Sequence, residues 1–210
     1  MSIAAVVVDY GVGNVHSVLK ALAHEGAEAR LSSDPLEIAA APRLVVPGVG
    51  AFGDGMRELE KRGLVQPIRA FFQTGRPLLG ICLGMQLLLT ESTEFGVHAG
   101  LGIIPGRVEK IPVEPGWKIP HVGWNRLAPP AEARWNESLL DGLERESPMV
   151  YFVHSFHAQP ENRAHVLANV RYGGVDLCAA VRRDNAVGFQ FHPEKSGPLG
   201  LRLIHRFVRS

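Results

Sequence analysis

Residues 77–89 read PLLGICLGMQLLL. The apolar run at 77–81 has the composition of a strand buried on both faces, and residues 83–89 continue directly as an apolar helix. Where a strand turns abruptly into a helix, the side chain at the turn is strained and exposed, and small residues two before and two after it prevent backbone clashes. Gly80 and Gly84 stand at those places around Cys82. The segment therefore predicts an α/β fold that presents Cys82 at a strand–helix turn.

The sequence on either side of this turn falls into two halves. In the first half, predicted strands alternate with predicted helices, which indicates a parallel sheet built by right-handed crossovers. The strands are predicted at 3–9, 28–31 and 43–46, and the helices near 15–22, 54–62 and 66–74. In the second half, closely spaced strands predict antiparallel pairing, in part in a second sheet. These strands are predicted at 107–111, 121–127, 149–158, 166–171, 176–183 and 187–191, with a surface loop at 128–136 and a closing helix near 199–208.

We therefore expect one domain over residues 1–210, with a mostly parallel central sheet flanked by helices and additional antiparallel strands in the second half. The composition supports a globular chain, because hydrophobic residues are 46% and charged residues 20%. The net charge of +1 gives no electrostatic drive toward nucleic acid or a membrane surface. Two cysteines are too few for a disulfide scaffold, and no targeting or membrane-spanning segment is visible. The expected location is the cytoplasm.

Cys82 has the setting of a nucleophile. At a helix N-terminus, unpaired N–H groups and the helix dipole favour thiolate over thiol. The N–H of Leu83 would point toward an oxyanion formed when the thiolate attacks a carbonyl. A small buried hydrophobe is the plainer interpretation of a free cysteine, and taken alone the pattern does not decide between them. Cys178 has no such setting and is expected to pack in the core.

The segment His192-Pro193-Glu194 directly follows the apolar strand predicted at 187–191. Residues i and i+2 of an extended segment project to the same side, so Glu194 can hold the ring of His192 while His192 moves protons. An isolated pair of this kind is more often a surface histidine beside a solvated carboxylate. Here the pair follows a strand end, and the carboxyl ends of parallel strands form the reactive edge of such sheets. The coincidence with Cys82 favours a Cys-His-Glu triad.

Two glycine-rich turns also follow predicted strands. Residues 47–53, PGVGAFG, allow close backbone approach to a ligand and suit a second oxyanion donor. Residues 11–14, GVGN, do not complete a dinucleotide-binding motif, because His16 occupies the place of the third glycine. The chain has no phosphate-binding loop, and its histidines and cysteines lack metal-ligand spacing. No cofactor or metal is therefore predicted.

Five motifs taken together resemble the class I (triad) glutamine amidotransferases, over essentially the whole chain from residue 3. They are DYGVGN at 9–14, VPGVGAF at 46–52, GICLGMQ at 80–86, HVGWN at 121–125 and HPEKS at 192–196. Within that class the forms of these motifs are most similar to the glutaminase subunits of imidazole glycerol phosphate synthase, in histidine biosynthesis. The resemblance implies hydrolysis of glutamine by Cys82, His192 and Glu194. It also implies oxyanion donors from Leu83 and from Val49 or Gly50, and glutamine contacts from Gln86, Glu94, His154, Ser155 and Phe156.

A partner is also implied, because ammonia is useful only while unprotonated and this chain offers no evident second active site. The resemblance identifies the partner as a HisF-type (β/α)8-barrel synthase subunit, which receives channelled ammonia in a heterodimer and makes imidazole glycerol phosphate and aminoimidazole carboxamide ribotide. Trp124 is a candidate interface anchor, since tryptophan is enriched at hot spots; core packing is the alternative. Asn14 and Lys195 are candidates for polar contacts with the partner.

The glycines that flank Val49 suggest a regulatory hypothesis. A peptide flip there is inexpensive, so the free subunit can hold one oxyanion donor turned away until the partner binds its ligand. Three other interpretations of the chain stay open at this stage. They are a glutaminase subunit serving pyridoxal phosphate, anthranilate or purine synthesis, a cysteine hydrolase of related fold acting on another substrate, and a catalytically inactive binding module.

Overall fold

The computed structural model describes residues 3–130 and 135–210. Residues 131–134, within the loop predicted at 128–136, lie outside the described part of the chain. The helices are α1 (Val15–His24), α2 (Pro35–Ala40), α3 (Phe52–Lys61), α4 (Val65–Gln73), α5 (Leu83–Leu87) and α6 (Gly197–Arg209). The first seven strands are β1 (Ile3–Val8), β2 (Ala27–Ser32), β3 (Leu44–Val46), β4 (Leu78–Ile81), β5 (Leu89–Ser92), β6 (His98–Ala99) and β7 (Ile104–Lys110). The remaining strands are β8 (His121–Ala128), β9 (Met149–His154), β10 (Phe156–Pro160), β11 (Val166–Tyr172), β12 (Val175–Arg183) and β13 (Ala186–Phe189).

A parallel sheet forms the centre of the molecule, with strand order β2-β1-β3-β4-β13. Strands β3 and β4 are buried along their whole length. This explains their uninterrupted apolar sequences, since a strand covered on both faces has no solvent side to carry polar residues. Because the five strands run the same way, their carboxyl ends meet at one edge of the sheet.

Helices cover both faces of this sheet and bury two separate apolar cores. On one face, α1 and α6 pack against the side of β1 that carries Ala5 and Val7. On the other face, α2, α3, α4 and α5 pack against the side that carries Val6 and Val8. Alternating residues of one strand therefore serve opposite cores, as the two-residue period of a strand requires. The prediction of a parallel central sheet flanked by helices is confirmed.

The second half of the chain extends the sheet with mainly antiparallel pairs. Strand β12 pairs antiparallel with β13, β10 and β11, and β10 pairs antiparallel with β7. Strands β8 and β9 branch from this wing through β11, while β5 joins β7 in parallel. The wing therefore forms one continuous hydrogen-bonded sheet with the parallel centre rather than a separate second sheet.

Three local expectations need correction. The strand predicted at 149–158 is two strands, β9 and β10, separated at Ser155, because β9 pairs with β8 and β10 pairs with β7. The helix predicted at 83–89 ends at Leu87, and Leu89 already belongs to β5. Helix α2 and strands β5 and β6 are absent from the sequence-based predictions, because each is too short to show a periodic pattern. Across the described residues, no helix has the length and hydropathy needed to cross a bilayer.

Candidate active site

The strand–helix turn at Cys82 has the predicted strained geometry, but its side chain is buried rather than exposed, with 7% of its surface accessible. The backbone of Cys82 has φ +53° and ψ −110°, a conformation that L-residues rarely adopt. The flanking glycines are required by space, since a Cβ on Gly84 would lie 1.7 Å from the carbonyl oxygen of Val46, and one on Gly80 would lie 2.8 Å from the Gly84 carbonyl. Helix α5 thus packs directly on the ends of β3 and β4, and the turn is fixed by backbone contact.

The segment after β13 brings His192 and Glu194 to the same edge of the sheet. The N–H of Cys82 donates to the carbonyl of Phe189 at 2.7 Å, so the end of β13 lies beside the turn. Nδ1 of His192 donates to Oε1 of Glu194 at 2.8 Å, and the two side chains are only 3% and 1% exposed. The hydroxyl of Ser196 donates to the carbonyl of His192 at 2.7 Å. His192 is therefore held at two places, with Glu194 bonded to its ring and Ser196 bonded to its backbone carbonyl.

The electrostatic state of His192 depends on its two neighbours. Desolvation by burial lowers the pKa of His192, but hydrogen bonding and charge from Cys82 and Glu194 outweigh it and raise the pKa to about 9. Nε2 has no partner with hydrogen-bond geometry among the described residues, although Cys82 lies near enough to act on the pKa of the ring. An imidazole that is held on one side and open beside a thiol is the arrangement required of a base that activates a nucleophile.

A cavity of about 370 Å³ lies in front of Cys82. This volume is within the range of about 300–1,000 Å³ typical of small-molecule sites. Every predicted oxyanion and substrate residue lines it, namely Val49, Gly50, Leu83, Gln86, Glu94, His154, Ser155 and Phe156. Three larger cavities, of about 430, 570 and 640 Å³, contain none of the predicted site residues. The smaller cavity is therefore the candidate substrate site.

Gln86 is held in the cavity wall by a chain of amide hydrogen bonds. Its Nε2 donates to the carbonyl of Phe156 at 3.0 Å and to Oε1 of Gln190 at 2.9 Å. Both donor hydrogens of Gln86 are thereby used, so its Oε1 is left as an acceptor. Gln190 is absent from the sequence-based predictions, because a single glutamine in an apolar strand carries no local signal of function.

Glu94 combines burial in the cavity wall with a helix contact. Its Oε2 accepts from the N–H of Phe52, the first residue of α3, at 2.7 Å. A carboxylate at a helix N-terminus satisfies an unpaired N–H and interacts favourably with the helix dipole. Glu94 therefore also holds the start of α3, which follows the glycine-rich turn at 47–50.

His154 is neutral and its ring nitrogens are both occupied. Nδ1 donates to the carbonyl of Phe156 at 2.8 Å, so Nε2 accepts from Nδ1 of His121 at 3.0 Å. Burial is the main cause that lowers the pKa of His154 to about 3 and the pKa of His121 to about 4. His154 therefore contributes the surface of an uncharged ring to the cavity wall and no charge.

The glycine-rich turn after β3 places a carbonyl where an oxyanion donor was predicted. The carbonyl of Gly48 accepts from the N–H of Leu83 at 3.3 Å. Below this turn, the buried hydroxyl of Tyr10 donates to the carbonyl of Pro47 at 2.5 Å, and burial raises the pKa of Tyr10 so that it stays protonated. Tyr10 stands in the motif at 9–14, but its contact with Pro47 joins two distant segments and has no signal in the sequence.

The candidate interface residues lie on the surface around the same sheet edge. Asn14 is exposed directly before α1 and makes no capping hydrogen bond, and Lys195 is exposed beside Glu194. Trp124 is 54% exposed, which rules out the core-packing alternative. Its ring lies against Tyr151 and close to Gly197, just after the HPEKS motif. Cys178, by contrast, is buried as expected, and its thiol contacts the carbonyl of Ala180.

Comparison with known proteins adds an independent line of observation. The family model described as glutamine amidotransferase class-I matches residues 6–210. The imidazole glycerol phosphate synthase subunit HisH 1 of Legionella pneumophila is 47% identical over 208 residues, covering 97% of each chain. The subunit HisH of Geobacter metallireducens is 47% identical over 209 residues, again covering 97% of each chain.

Solved structures show the same fold at lower sequence identity. A crystal structure of a glutamine amidotransferase has a TM-score of 0.73 and 21% identity and covers 100% of both chains. The structure of PurLQS from Thermotoga maritima has a TM-score of 0.74 and 19% identity, covering 100% of this chain and 98% of that one. These likenesses confirm the fold class.

Proposed function

Because the chain belongs to the class I glutamine amidotransferase family, we propose that it is the glutaminase subunit of imidazole glycerol phosphate synthase, in histidine biosynthesis. In this role it hydrolyses glutamine to glutamate and ammonia. The observation that carries the proposal is the cavity that gathers the predicted substrate residues in front of Cys82, beside the buried pair of His192 and Glu194. The domain that carries this activity is proposed to span residues 1–210.

In the first half of the reaction, His192 accepts the proton of the Cys82 thiol through Nε2. The thiolate attacks the side-chain amide carbon of glutamine, forming a carbon–sulfur bond and an oxyanion. His192 then gives its proton to the departing nitrogen, so the carbon–nitrogen bond breaks and ammonia leaves a γ-glutamyl thioester on Cys82. Glu194 stabilises the imidazolium and keeps Nδ1 protonated, so that Nε2 faces the reaction.

In the second half, the same groups act in reverse order. His192 takes a proton from a water molecule that attacks the thioester carbon, the carbon–sulfur bond breaks, and the proton returns to Cys82. Glutamate leaves the cavity. Dividing the hydrolysis in this way avoids direct attack of water on a resonance-stabilised amide.

The oxyanion donors are proposed to be the N–H of Leu83 and the N–H of Val49. In the resting arrangement Leu83 is occupied by the Gly48 carbonyl, which belongs to the same peptide unit as the Val49 N–H. The two groups of a trans peptide point in opposite directions, so rotation of this unit replaces the carbonyl by an N–H donor. The rotation changes ψ of Gly48 and φ of Val49, and Gly48 tolerates the change at low cost because it has no side chain. We infer that the free subunit is slow for this reason.

The partner is proposed to be a HisF-type (β/α)8-barrel synthase subunit bound as a heterodimer. An exposed apolar patch of Val122, Trp124 and Met149 lies on β8 and β9 and continues toward the segment after Glu194. Docking there places the partner over the sheet edge where ammonia is released, and Asn14 and Lys195 supply polar contacts at the rim. The cytoplasm is the proposed location, since both cysteines are unpaired and suit a reducing compartment.

The test is glutamate release measured for the chain alone, with a barrel synthase subunit, and with that subunit plus its nucleotide substrate. We expect slow release from the chain alone and a sharp rise only in the third mixture. Cys82→Ser should abolish release in all three. Undiminished release from that variant would refute the nucleophile, and equal rates in the three mixtures with the native chain would refute the peptide rotation.

A further inference from the structure

Gln190 is a buried polar residue that the mechanism above does not use. It follows β13 directly, and its backbone N–H donates to the carbonyl of Ala179 at 2.9 Å. The residue is completely inaccessible to solvent. Burying an uncharged amide costs free energy unless its donors and acceptor find partners. The partners of this side chain are therefore informative.

The orientation of the Gln190 amide is determined by a backbone group. The carbonyl of Phe156 can only accept, so it fixes Nε2 of Gln86 as a donor. The second hydrogen of that nitrogen goes to Gln190, whose facing atom must then be the oxygen Oε1. The opposite arrangement would place two NH2 groups against each other. Nε2 of Gln190 is consequently left to face the sulfur of Cys82, at 3.8 Å.

The groups around the sulfur of Cys82 differ in whether they can hydrogen-bond to its thiol or to its thiolate form. The carbonyl of Val153 lies 4.0 Å from Sγ, and it accepts from a thiol but cannot stabilise a thiolate. The titratable groups that act electrostatically on Cys82 or on its base are Tyr10, His154, His192 and Glu194. Tyr10 uses its hydrogen on Pro47, and His154 is neutral with both nitrogens occupied. Within the described residues, His192 and Gln190 are thus the side chains left to donate to a thiolate.

We propose that Gln190 is a catalytic residue whose amide N–H donates to the sulfur of Cys82 and stabilises the attacking thiolate. This proposal rests on the proposed function only in taking Cys82 as the nucleophile. It assigns the thiolate two donors from one segment, His192 and Gln190, which are two residues apart. It also links the sulfur to the cavity wall, because the same amide chain runs through Gln86 to the carbonyl of Phe156.

The test measures ionisation of the thiol directly, without glutamine. Alkylation of Cys82 by iodoacetamide is followed across pH in the full chain by peptide mass spectrometry, for the native chain and for Gln190→Met, which keeps the size but removes the donor. We expect the midpoint of the pH–rate curve to rise by about one unit in the variant, as for loss of a hydrogen bond to a charged group. Cys178, whose pKa burial raises to about 12, is an internal reference that should stay unreactive.

A matched pair of changes separates this role from packing. Gln159→Met replaces an exposed glutamine on β10 and should leave the midpoint unchanged. Gln190→Asn keeps the amide but withdraws it from the sulfur, and it should raise the midpoint by less than Gln190→Met. If the methionine variant fails to fold, the asparagine variant decides by itself. An unchanged midpoint in a folded Gln190 variant overturns the proposal.

Steady-state kinetics with the synthase complex supply the second measurement. Loss of thiolate should lower kcat/KM for glutamine by about tenfold with little change in KM, whereas a rise in KM alone would assign Gln190 to substrate binding and overturn the proposal. A shifted alkylation midpoint in a protein that does not hydrolyse glutamine would refute the proposed function and leave the Gln190–thiolate contact standing. The two failures are therefore distinguishable.

Discussion

The backbone N–H of Cys82 donates to the carbonyl of Phe189 at 2.7 Å, and this hydrogen bond joins the ends of β4 and β13. It sets the distance between the strained turn and the segment that carries His192, although the two lie far apart in the chain. The pairing register of β4 and β13 consequently determines where the side chains of Cys82 and His192 lie. Residues built on adjacent strand ends are held more accurately than residues on free loops.

Glu194→Gln should change the pH dependence of glutamine hydrolysis. The carboxylate of Glu194 is one of the groups that raise the pKa of His192 to about 9, so its loss lowers that pKa. In the proposed mechanism His192 must be protonated to release ammonia, so we expect activity to fall as pH rises through this pKa. We expect the alkaline limb of kcat/KM to move to lower pH by about one unit or more, with roughly 10²-fold loss of rate.

Glu25→Gln is the matched control for this change. Glu25 also pairs with histidines, His24 and His205, but on the surface and away from the cavity. Its replacement should leave the pH–rate profile unchanged. An alkaline limb that stays in place in Glu194→Gln would contradict the assigned role of the carboxylate.

Gly84→Ala should prevent the strand–helix turn from forming. The added Cβ would lie 1.7 Å from the Val46 carbonyl oxygen, and neither backbone can move without disturbing β3 or α5. We expect destabilisation of about 3 kcal/mol or more, measured by urea unfolding. Gly63→Ala is the control, because Gly63 has φ +68° but open space around it, and backbone strain alone should cost about 1–2 kcal/mol. Similar losses of unfolding free energy in the two variants would mean that the turn tolerates a Cβ against the carbonyl of Val46.

Tyr10→Phe should weaken the support of the glycine-rich turn. Removing the hydroxyl leaves the carbonyl of Pro47 buried without its donor, which costs about 1–3 kcal/mol. Because that carbonyl precedes the peptide unit proposed to rotate, we also expect a lower kcat in the activated complex with little change in KM. Tyr172→Phe removes a similar hydrogen bond, to the carbonyl of Lys118, on the surface and should change neither quantity by much. Full activity of Tyr10→Phe would show that the function of the turn does not depend on the hydrogen bond between Tyr10 and Pro47.

Trp124→Ala should weaken assembly with the synthase subunit. Trp124 is half-exposed, so its loss should alter the melting temperature of the isolated chain very little. As the central aromatic side chain of the apolar patch, it is expected to contribute about 2 kcal/mol or more to binding, roughly 30-fold in Kd. Trp124→Phe should retain part of that affinity. Native affinity of Trp124→Ala in a titration with the synthase subunit would exclude this surface.

The sequence was most informative where a local pattern is sufficient. Strands β1, β3 and β4 are continuous apolar runs, and the glycines around Cys82 carry a steric requirement that the observed close contacts reproduce. The cavity then gathers residues that the family resemblance had singled out in separate segments.

Features that depend on which distant segments of the chain come into contact could not be predicted from the sequence. The break at Ser155 arises because neighbouring segments pair with different strands, which no local periodicity reports. The contacts of Tyr10 and Gln190 join residues distant in the chain, and a tyrosine or glutamine in an apolar context does not indicate what it will touch. The exposure of Trp124 likewise could not be predicted, because it depends on which face of β8 is left uncovered in the folded sheet.

The position of β13 has a consequence for biosynthesis of the protein itself. This strand lies between β4 and β12, parallel to one and antiparallel to the other, so the sheet stays in two pieces until it inserts. A nascent chain that has left the ribosome only as far as β12 possesses its thiol but neither the imidazole nor the bridging strand. An unfinished copy of that length therefore cannot assemble the proposed triad of Cys82, His192 and Glu194.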